Sequence, residues 1–301
     1  MTAARTDPEG APRILVTGAA GQLGRELAAA LGKVGNVIAL DHAALDLARP
    51  DAIIAALRDI APQLVVNAGA YTAVDRAESE TEAAFAVNAH APGILAVEAR
   101  RLGALLVHYS TDYVFDGSNP EPRDETAPVA PQNVYGASKL EGERAVEAAG
   151  GHALVFRTSW VYGRRGRNFL TTIERLARER NELRIVADQH GTPNWTRELA
   201  RATAALVARG LPWLAERRGL YHLSARGATT WLEFARAILG AGGGVRLVPI
   251  TSDEYSTTAR RPAYAILDTR RFAATFGFEL PHWRDALRDC LHSSAEPPAA
   301  R

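Results

Sequence analysis

Cysteine is almost absent: Cys290 is the only one among 301 residues, so no internal disulfide can form. It falls in an amphipathic stretch near the end of the chain and reads as a packing residue rather than a nucleophile. No uninterrupted apolar run is long enough to span a bilayer. Residues 1–12 are polar, rich in Pro and Gly, and lack the apolar centre of a secretory signal. Excess charge is missing too, since 35 Lys and Arg against 34 Asp and Glu leave a net charge of +1. Nothing in that balance asks for nucleic acid or an anionic membrane as partner. No repeat at a fixed period is visible. These absences leave a cytoplasmic enzyme or binding protein. With 47% hydrophobic and 23% charged residues, the length suits one large α/β domain carrying a smaller lobe.

The first strong pattern is Arg13-Ile14-Leu15-Val16-Thr17, a short buried strand, running into Gly18-Ala19-Ala20-Gly21-Gln22-Leu23-Gly24 and then a helical stretch ending near Gly32. Strand, glycine loop and helix in that order are the context a dinucleotide fingerprint requires. Gly18 makes the tight turn, Gly21 lets the backbone approach a pyrophosphate, and Gly24 lets the helix pack against the strand. The spacing is G-x-x-G-x-x-G. A second strand, 36–40, ends in Asp41, placed to accept hydrogen bonds from ribose hydroxyls. Asp46 and Leu47 are expected to border the adenine, with a helix cap as the alternative for Asp46. A helix at 50–60 follows. Strand three, 63–66, delivers Asn67-Ala68-Gly69-Ala70-Tyr71-Thr72, small residues where open α/β sheets bind ligands. A long helix is expected over 78–102, carrying Asn88, and a fourth strand over 104–108, leading into Tyr109-Ser110-Thr111-Asp112-Tyr113.

Tyr135 and Lys139 stand four apart in a helical run over 133–149 and share one face. A free Tyr titrates near ~10, and a nearby ammonium lowers that value, so the pair can form a proton donor suited to carbonyl reduction. A strand at 153–157 follows. Strand and helix alternating with short connections predict a Rossmann-like, doubly wound parallel sheet with a smaller C-terminal α/β substrate lobe. The expected division is a tail at 1–12, a nucleotide-binding domain at 13–165 with some later segments, a lobe over 166–292, and a tail at 293–301. A flexible turn is expected at 240–244.

Together these residues resemble the extended short-chain dehydrogenase/reductase superfamily: a glycine-rich loop, a Ser/Thr, then Tyr-x-x-x-Lys. Further motifs narrow the likeness: Gly21-Gln22-Leu23-Gly24, Tyr71-Thr72-Ala73-Val74-Asp75, Ser110-Thr111-Asp112-Tyr113-Val114-Phe115, Val134-Tyr135-Gly136, Arg157-Thr158-Ser159-Trp160-Val161-Tyr162 and Asp188-Gln189-His190-Gly191-Thr192-Pro193. Over residues 14–287 the chain is similar to the dTDP-4-dehydrorhamnose reductases. Two positions depart from that pattern: Gly69, where Ala is frequent, and Asn194-Trp195, where a Thr is usual.

The resemblance implies reduction of the 4-keto group of dTDP-6-deoxy-L-lyxo-4-hexulose to dTDP-L-rhamnose by NADPH or NADH. It implies Tyr135 as proton donor, Lys139 holding the nicotinamide ribose and lowering the Tyr pKa, and Thr111 binding the same substrate oxygen. Asp112, Tyr113 and Trp160 are expected at the sugar. Asn168 and Arg261 are expected at the diphosphate, in preference to the arginines of the 164–167 loop. Asp41 favours NADH, while Arg25 is positioned to pair with a 2′-phosphate and offset it. A homodimer and Mg²⁺ are compatible with the family; Glu26 is one candidate ligand, and no full set assembles from the chain. The alternatives are another nucleotide-sugar reductase, epimerase or 4,6-dehydratase, and a non-catalytic regulatory subunit like that of methionine adenosyltransferase. The dehydratase lacks support because Thr111 is followed by Asp112-Tyr113, with no Glu.

Overall fold

The computed structural model describes residues 11–240 and 244–293. The expected terminal tails at 1–12 and 293–301 therefore lie largely outside the described residues, as does most of the expected turn at 240–244. In chain order the first half contains β1 (Arg13–Thr17), α1 (Gln22–Leu31), β2 (Asn36–Leu40), α2 (Pro50–Ile60), β3 (Leu64–Asn67), α3 (Val74–Ala77), α4 (Thr81–Phe85), α5 (Ala91–Arg101), β4 (Leu105–Thr111), α6 (Val134–Ala148) and β5 (His152–Thr158). Next come β6 (Val161–Tyr162), α7 (Phe169–Glu179), β7 (Glu182–Val186), β8 (His190–Gly191), β9 (Asn194–Trp195), α8 (Thr196–Ala208), α9 (Leu211–Ala215) and β10 (Gly219–His222). The chain closes with β11 (Thr229–Thr230), α10 (Trp231–Leu239), β12 (Arg246–Ile250), β13 (Tyr264–Ala265), α11 (Arg270–Phe276) and α12 (Trp283–His292).

Six strands form the central sheet in the order β10-β5-β4-β3-β1-β2, every pair parallel. Parallel strands covered on both faces are apolar throughout, and their side chains alternate between two cores. Ile14, Val16, Leu64, Val66, Leu154 and Phe156 face a core completed by Leu27 and Leu31 of α1 and Leu199 and Leu206 of α8. Leu15, Val65, Leu106 and Val155 face the other, completed by Ile53 and Leu57 of α2 and Leu95 of α5. A third core joins α7, α10 and α12 around Leu170, Phe234 and Trp283, and Cys290 is buried in it. Burial pushes the Cys290 thiol up to about 12, which keeps it protonated. Among the described residues no helix is long and apolar enough to cross a membrane.

Two features differ in detail from expectation. The helix expected over 78–102 runs without a gap from Thr81 to Arg101, but residues Ala86–His90 between α4 and α5 form a π-helical turn. Pro92 lacks an N–H, so the carbonyl four residues back cannot be satisfied in an ordinary helix. β4 continues three residues past His108, so Thr111 is its last residue. The later part of the chain also contributes to the main sheet, through β10 as a strand and α8 packed on its face.

Candidate active site

At the C-terminal ends of β1, β3, β4 and β5 the molecule opens into a cleft of about 810 Å³. That edge is where a doubly wound sheet leaves room for ligands. Gly18 begins one end. Its φ of +65° and the 2.6 Å between a Cβ placed there and Gly69 leave no room for a side chain. At Gly24 a Cβ would stand 2.2 Å from the Gly18 carbonyl oxygen, so glycine lets α1 seat against the turn. Helix α1 has no capping side chain and no acid in its first turn, which leaves its first N–H groups open to an anion. The turn, the open helix end and the cleft fit a dinucleotide pyrophosphate.

Gly18, Gly21, Gln22, Leu23, Leu47, Ala68, Gly69, Ala70 and Tyr71 all line the cleft. Gly24 supports it from behind. Asp41 and Asp46 do not line it. Each carboxylate is turned to its own loop, Asp41 accepting from the Ala44 N–H at 3.0 Å and Asp46 from the Ala48 N–H at 2.9 Å. His42 and Leu45 stand in the wall instead. Arg25 donates to the Ala20 carbonyl at 2.9 Å, and Glu26 pairs with Arg197 at 3.1 Å. Among the described residues no three His, Cys, Asp or Glu side chains cluster as metal ligands. At Gly69 a Cβ would come within 2.4 Å of Leu47 Cδ1, the far end of a side chain that can turn aside, so the Ala frequent in the family is compatible with this backbone.

Thr111, Asp112, Tyr113, Tyr135, Lys139, Trp160, Asn168 and Arg261 share the other half of the cleft. Helix α6 starts at Asn133, whose side chain accepts from the Gly136 N–H at 2.7 Å, so Tyr135 sits in the first turn and Lys139 one turn on. Asn88, in the π turn, ties this helix to the β3 loop. Its amide bonds both the N–H and the carbonyl of Tyr71, at 2.8 and 3.0 Å, and donates to Ser138 at 3.0 Å.

The electrostatics correct one expectation. The Tyr135 phenol is raised, not lowered: burial is the largest cause, Thr111 opposes it, and Asp112 and Tyr113 add to it. The Lys139 amine is turned elsewhere, 2.6 Å from the Tyr109 carbonyl and 3.4 Å from His108 Nε2. Burial brings Lys139 down to about 8, with Glu143 pulling the other way. Asp112 is 2% exposed; burial pushes its carboxyl up to about 7 against a hydrogen bond from Thr111. Its Oδ1 accepts that bond at 3.0 Å, and its Oδ2 has no partner.

Trp160 has a φ of +41°, a backbone state costing about 1–3 kcal/mol for a bulky residue. A stack on Trp231 at 3.5 Å and 8° holds it there, with Gly191 so close that a Cβ would lie 2.4 Å from the indole. Trp231 donates to Gln189 at 3.1 Å and also lines the cleft. Asn194, the departure noted in the sequence, is a buried hub. Its amide donates to the Ser159 and Thr192 carbonyls at 2.7 and 2.9 Å, and its Oδ1 accepts from the Ala225 N–H at 2.6 Å.

Asn168 does not offer a free amide. It caps α7 by accepting from the Thr171 N–H at 3.1 Å, and it donates to Gln22 at 2.8 Å and to the Gly163 carbonyl at 2.9 Å. Arg261 reaches the cleft but bonds Tyr113 at 3.1 Å and Asp75 at 2.7 Å. Arg167, one of the loop arginines, also stands in the wall.

The family of the RmlD substrate binding domain matches residues 12–296 of the chain. A dTDP-4-dehydrorhamnose reductase of Burkholderia thailandensis is 47% identical over 291 residues, which cover 93% of this chain and 98% of that protein. The chain belongs to the dTDP-4-dehydrorhamnose reductase family. The Escherichia coli member is 42% identical over 294 residues, covering 93% of this chain and 97% of its own. The solved structure of the Bacillus anthracis dTDP-4-dehydrorhamnose reductase, a complex with NADP, superposes with a TM-score of 0.88 at 35% identity, covering 93% of this chain and 99% of that one. The Bacillus anthracis reductase and this chain share one fold.

Sequence reasoning overlooked His42, Trp231 and His108. For His108 a signal existed: period-2 alternation puts His108 and Ser110 on the same face of β4, opposite Lys139 and Glu143 on α6. Trp231 carries none, because nothing local links it to Trp160.

Proposed function

We propose that this protein is an NAD(P)H-dependent oxidoreductase that reduces the 4-keto group of dTDP-6-deoxy-L-lyxo-4-hexulose, giving dTDP-L-rhamnose for cell-surface polysaccharide. The observation that carries the reading is the convergence of Thr111, Tyr135 and Lys139 on a cleft that starts at an open glycine turn. When bound, the reduced nicotinamide cofactor supplies hydride. Tyr135, protonated at neutral pH because it is buried, gives its proton to the developing C4 alkoxide. Thr111 bonds the same oxygen and spreads its charge. Lys139 orients the cofactor's ribose. The unpartnered Oδ2 of Asp112 accepts from a sugar hydroxyl, and Tyr113 and Trp160 bound the sugar. Arg261 meets the diphosphate by giving up part of its bond to Asp75.

On the cofactor side, Gly18, Gly21, Gln22 and Leu23 take the pyrophosphate, Ala68 to Tyr71 the nicotinamide ribose, and His42 and Leu47 the adenosine. The division we favour is 13–165 together with α8 and β10 for the nucleotide, and the rest of 166–292 for the substrate. A cytoplasmic location and a homodimer belong to the same reading.

The test is to incubate the protein with the dTDP-4-keto sugar and either NADPH or NADH while following the loss of near-ultraviolet absorbance. Stoichiometric dTDP-rhamnose is the expected product. No oxidation of either cofactor would sink the reading, and purification with a tightly held cofactor plus sugar epimerisation would replace it with the epimerase.

A further inference from the structure

Behind the catalytic lysine, away from the cleft, runs a buried chain of hydrogen bonds. Asn67, the last residue of β3, accepts at Oδ1 from the Gly69 N–H at 3.2 Å and from the Thr17 hydroxyl at 2.7 Å. A backbone N–H can only donate, so that atom is the amide oxygen, and Nδ2 is the atom 3.0 Å from His108 Nδ1. Nδ2 likewise can only donate. His108 Nδ1 is therefore the bare nitrogen, and the ring carries its proton on Nε2. His108 is wholly buried, and its burial, reinforced by the charge of Lys139, keeps it neutral. Its Nε2–H points at Lys139 Nζ, 3.4 Å away. An ammonium meets that proton donor to donor, whereas a neutral amine offers it a lone pair.

We propose that His108, fixed in its Nε2–H tautomer by Asn67, is a positioning residue that presents Lys139 with a donor and so keeps the lysine able to release and regain a proton during turnover. The inference rests on the reductase reading for its consequence in catalysis. The other groups around Lys139 leave this bias in place. The Tyr109 carbonyl accepts from either form of the amine. Glu143, one turn along α6, favours the ammonium, but its carboxylate is shared by buried Arg157 at 2.8 and 2.6 Å and by Ser110 at 2.5 Å. Tyr135, one turn back, and Asp112, across the cleft, are both held toward their protonated forms by burial. Burial by itself already brings the Lys139 amine down to about 8 against the pull of Glu143, and the His108 donor acts in the same direction.

The first measurement needs no variant. In ¹⁵N-labelled protein with NADP⁺ bound, the ring nitrogens of His108 are expected to show a proton on Nε2 alone; a proton on Nδ1, or on both, overturns the proposal. The second compares His108→Gln with Asn67→Asp. The glutamine can turn its oxygen to Lys139. The aspartate replaces the donor facing Nδ1 with an acceptor and so reverses the tautomer. Both changes favour the ammonium and should move the alkaline limb of kcat to higher pH by about one to two units, the scale of a hydrogen bond to a charged group. The Kd for NADPH should change less than about threefold. Profiles that superimpose on wild type in folded variants would reduce His108 to packing. If no dTDP-4-keto sugar is reduced at any pH, the reductase reading fails, and the ring-nitrogen measurement still decides the tautomer.

Discussion

Replacing Asp112 by Asn tests the electrostatics of the cleft most directly. The carboxyl has an ordinary value of 3.8 and stands at about 7 in the folded protein, chiefly through burial. A carboxyl raised on folding stabilises the protein at low pH, and that stability is lost as pH rises from the unfolded value through the folded one. The gap is 7 minus 3.8, about 3 units, or at most about 4 kcal/mol across the whole window. Most of it, roughly 2–3 kcal/mol, is lost between about pH 5 and about pH 8. Asparagine keeps an oxygen for the Thr111 hydroxyl and does not ionise. The variant should therefore gain on wild type as pH rises, by about 5 °C in Tm between those two pH values. Calorimetry of the substrate-free protein at a series of pH values measures it. A difference in Tm that stays flat with pH would refute the argument, because it would mean that Asp112 ionises normally where it sits.

Tyr135→Phe should lower kcat by about 10²–10⁴-fold and leave NADPH affinity nearly unchanged, since only the proton is deleted; near-wild-type turnover would remove Tyr135 from its role. Asn168→Ala should lower stability by about 0.5–2 kcal/mol through the lost helix cap, as read by denaturant titration. Inhibition by free dTDP should hold constant in that variant, and a large loss of it would restore Asn168 to the diphosphate. Arg261→Ala should raise KM for the dTDP-sugar and weaken dTDP inhibition, with NADPH affinity unmoved; unchanged inhibition would place the diphosphate elsewhere.

The sheet was legible because its strands are buried on both faces: runs such as Ile14-Leu15-Val16 and Leu64-Val65-Val66 admit few other readings. The cleft was legible where function needs an unusual residue type, as at Gly18 and Gly24, or a fixed spacing, as at Tyr135 and Lys139. Sequence was ambiguous where a polar side chain had a local partner to satisfy. Asp41 looks like a ribose ligand but closes its own turn, and Asn168 looks like an anion contact but starts a helix. An N-cap signature preceded Phe169 in the sequence, so the competing reading was available there. Nor could sequence predict the burial that raises Tyr135 and lowers Lys139, because it comes from segments far apart in the chain.

The outermost strand of the sheet sets a timetable for biosynthesis. β5 ends at residue 158, yet its partner β10 begins at residue 219. A ribosome adding about 5–20 residues per second needs roughly 3–12 s to cross those 61 positions (219 minus 158). Throughout that interval the nascent chain carries an apolar strand with one row of N–H and C=O groups unpaired, ready to take a strand from a neighbouring polysome product. A fragment stopped at residue 165 would keep the glycine turn and the Tyr-Lys helix but would remain in that window indefinitely.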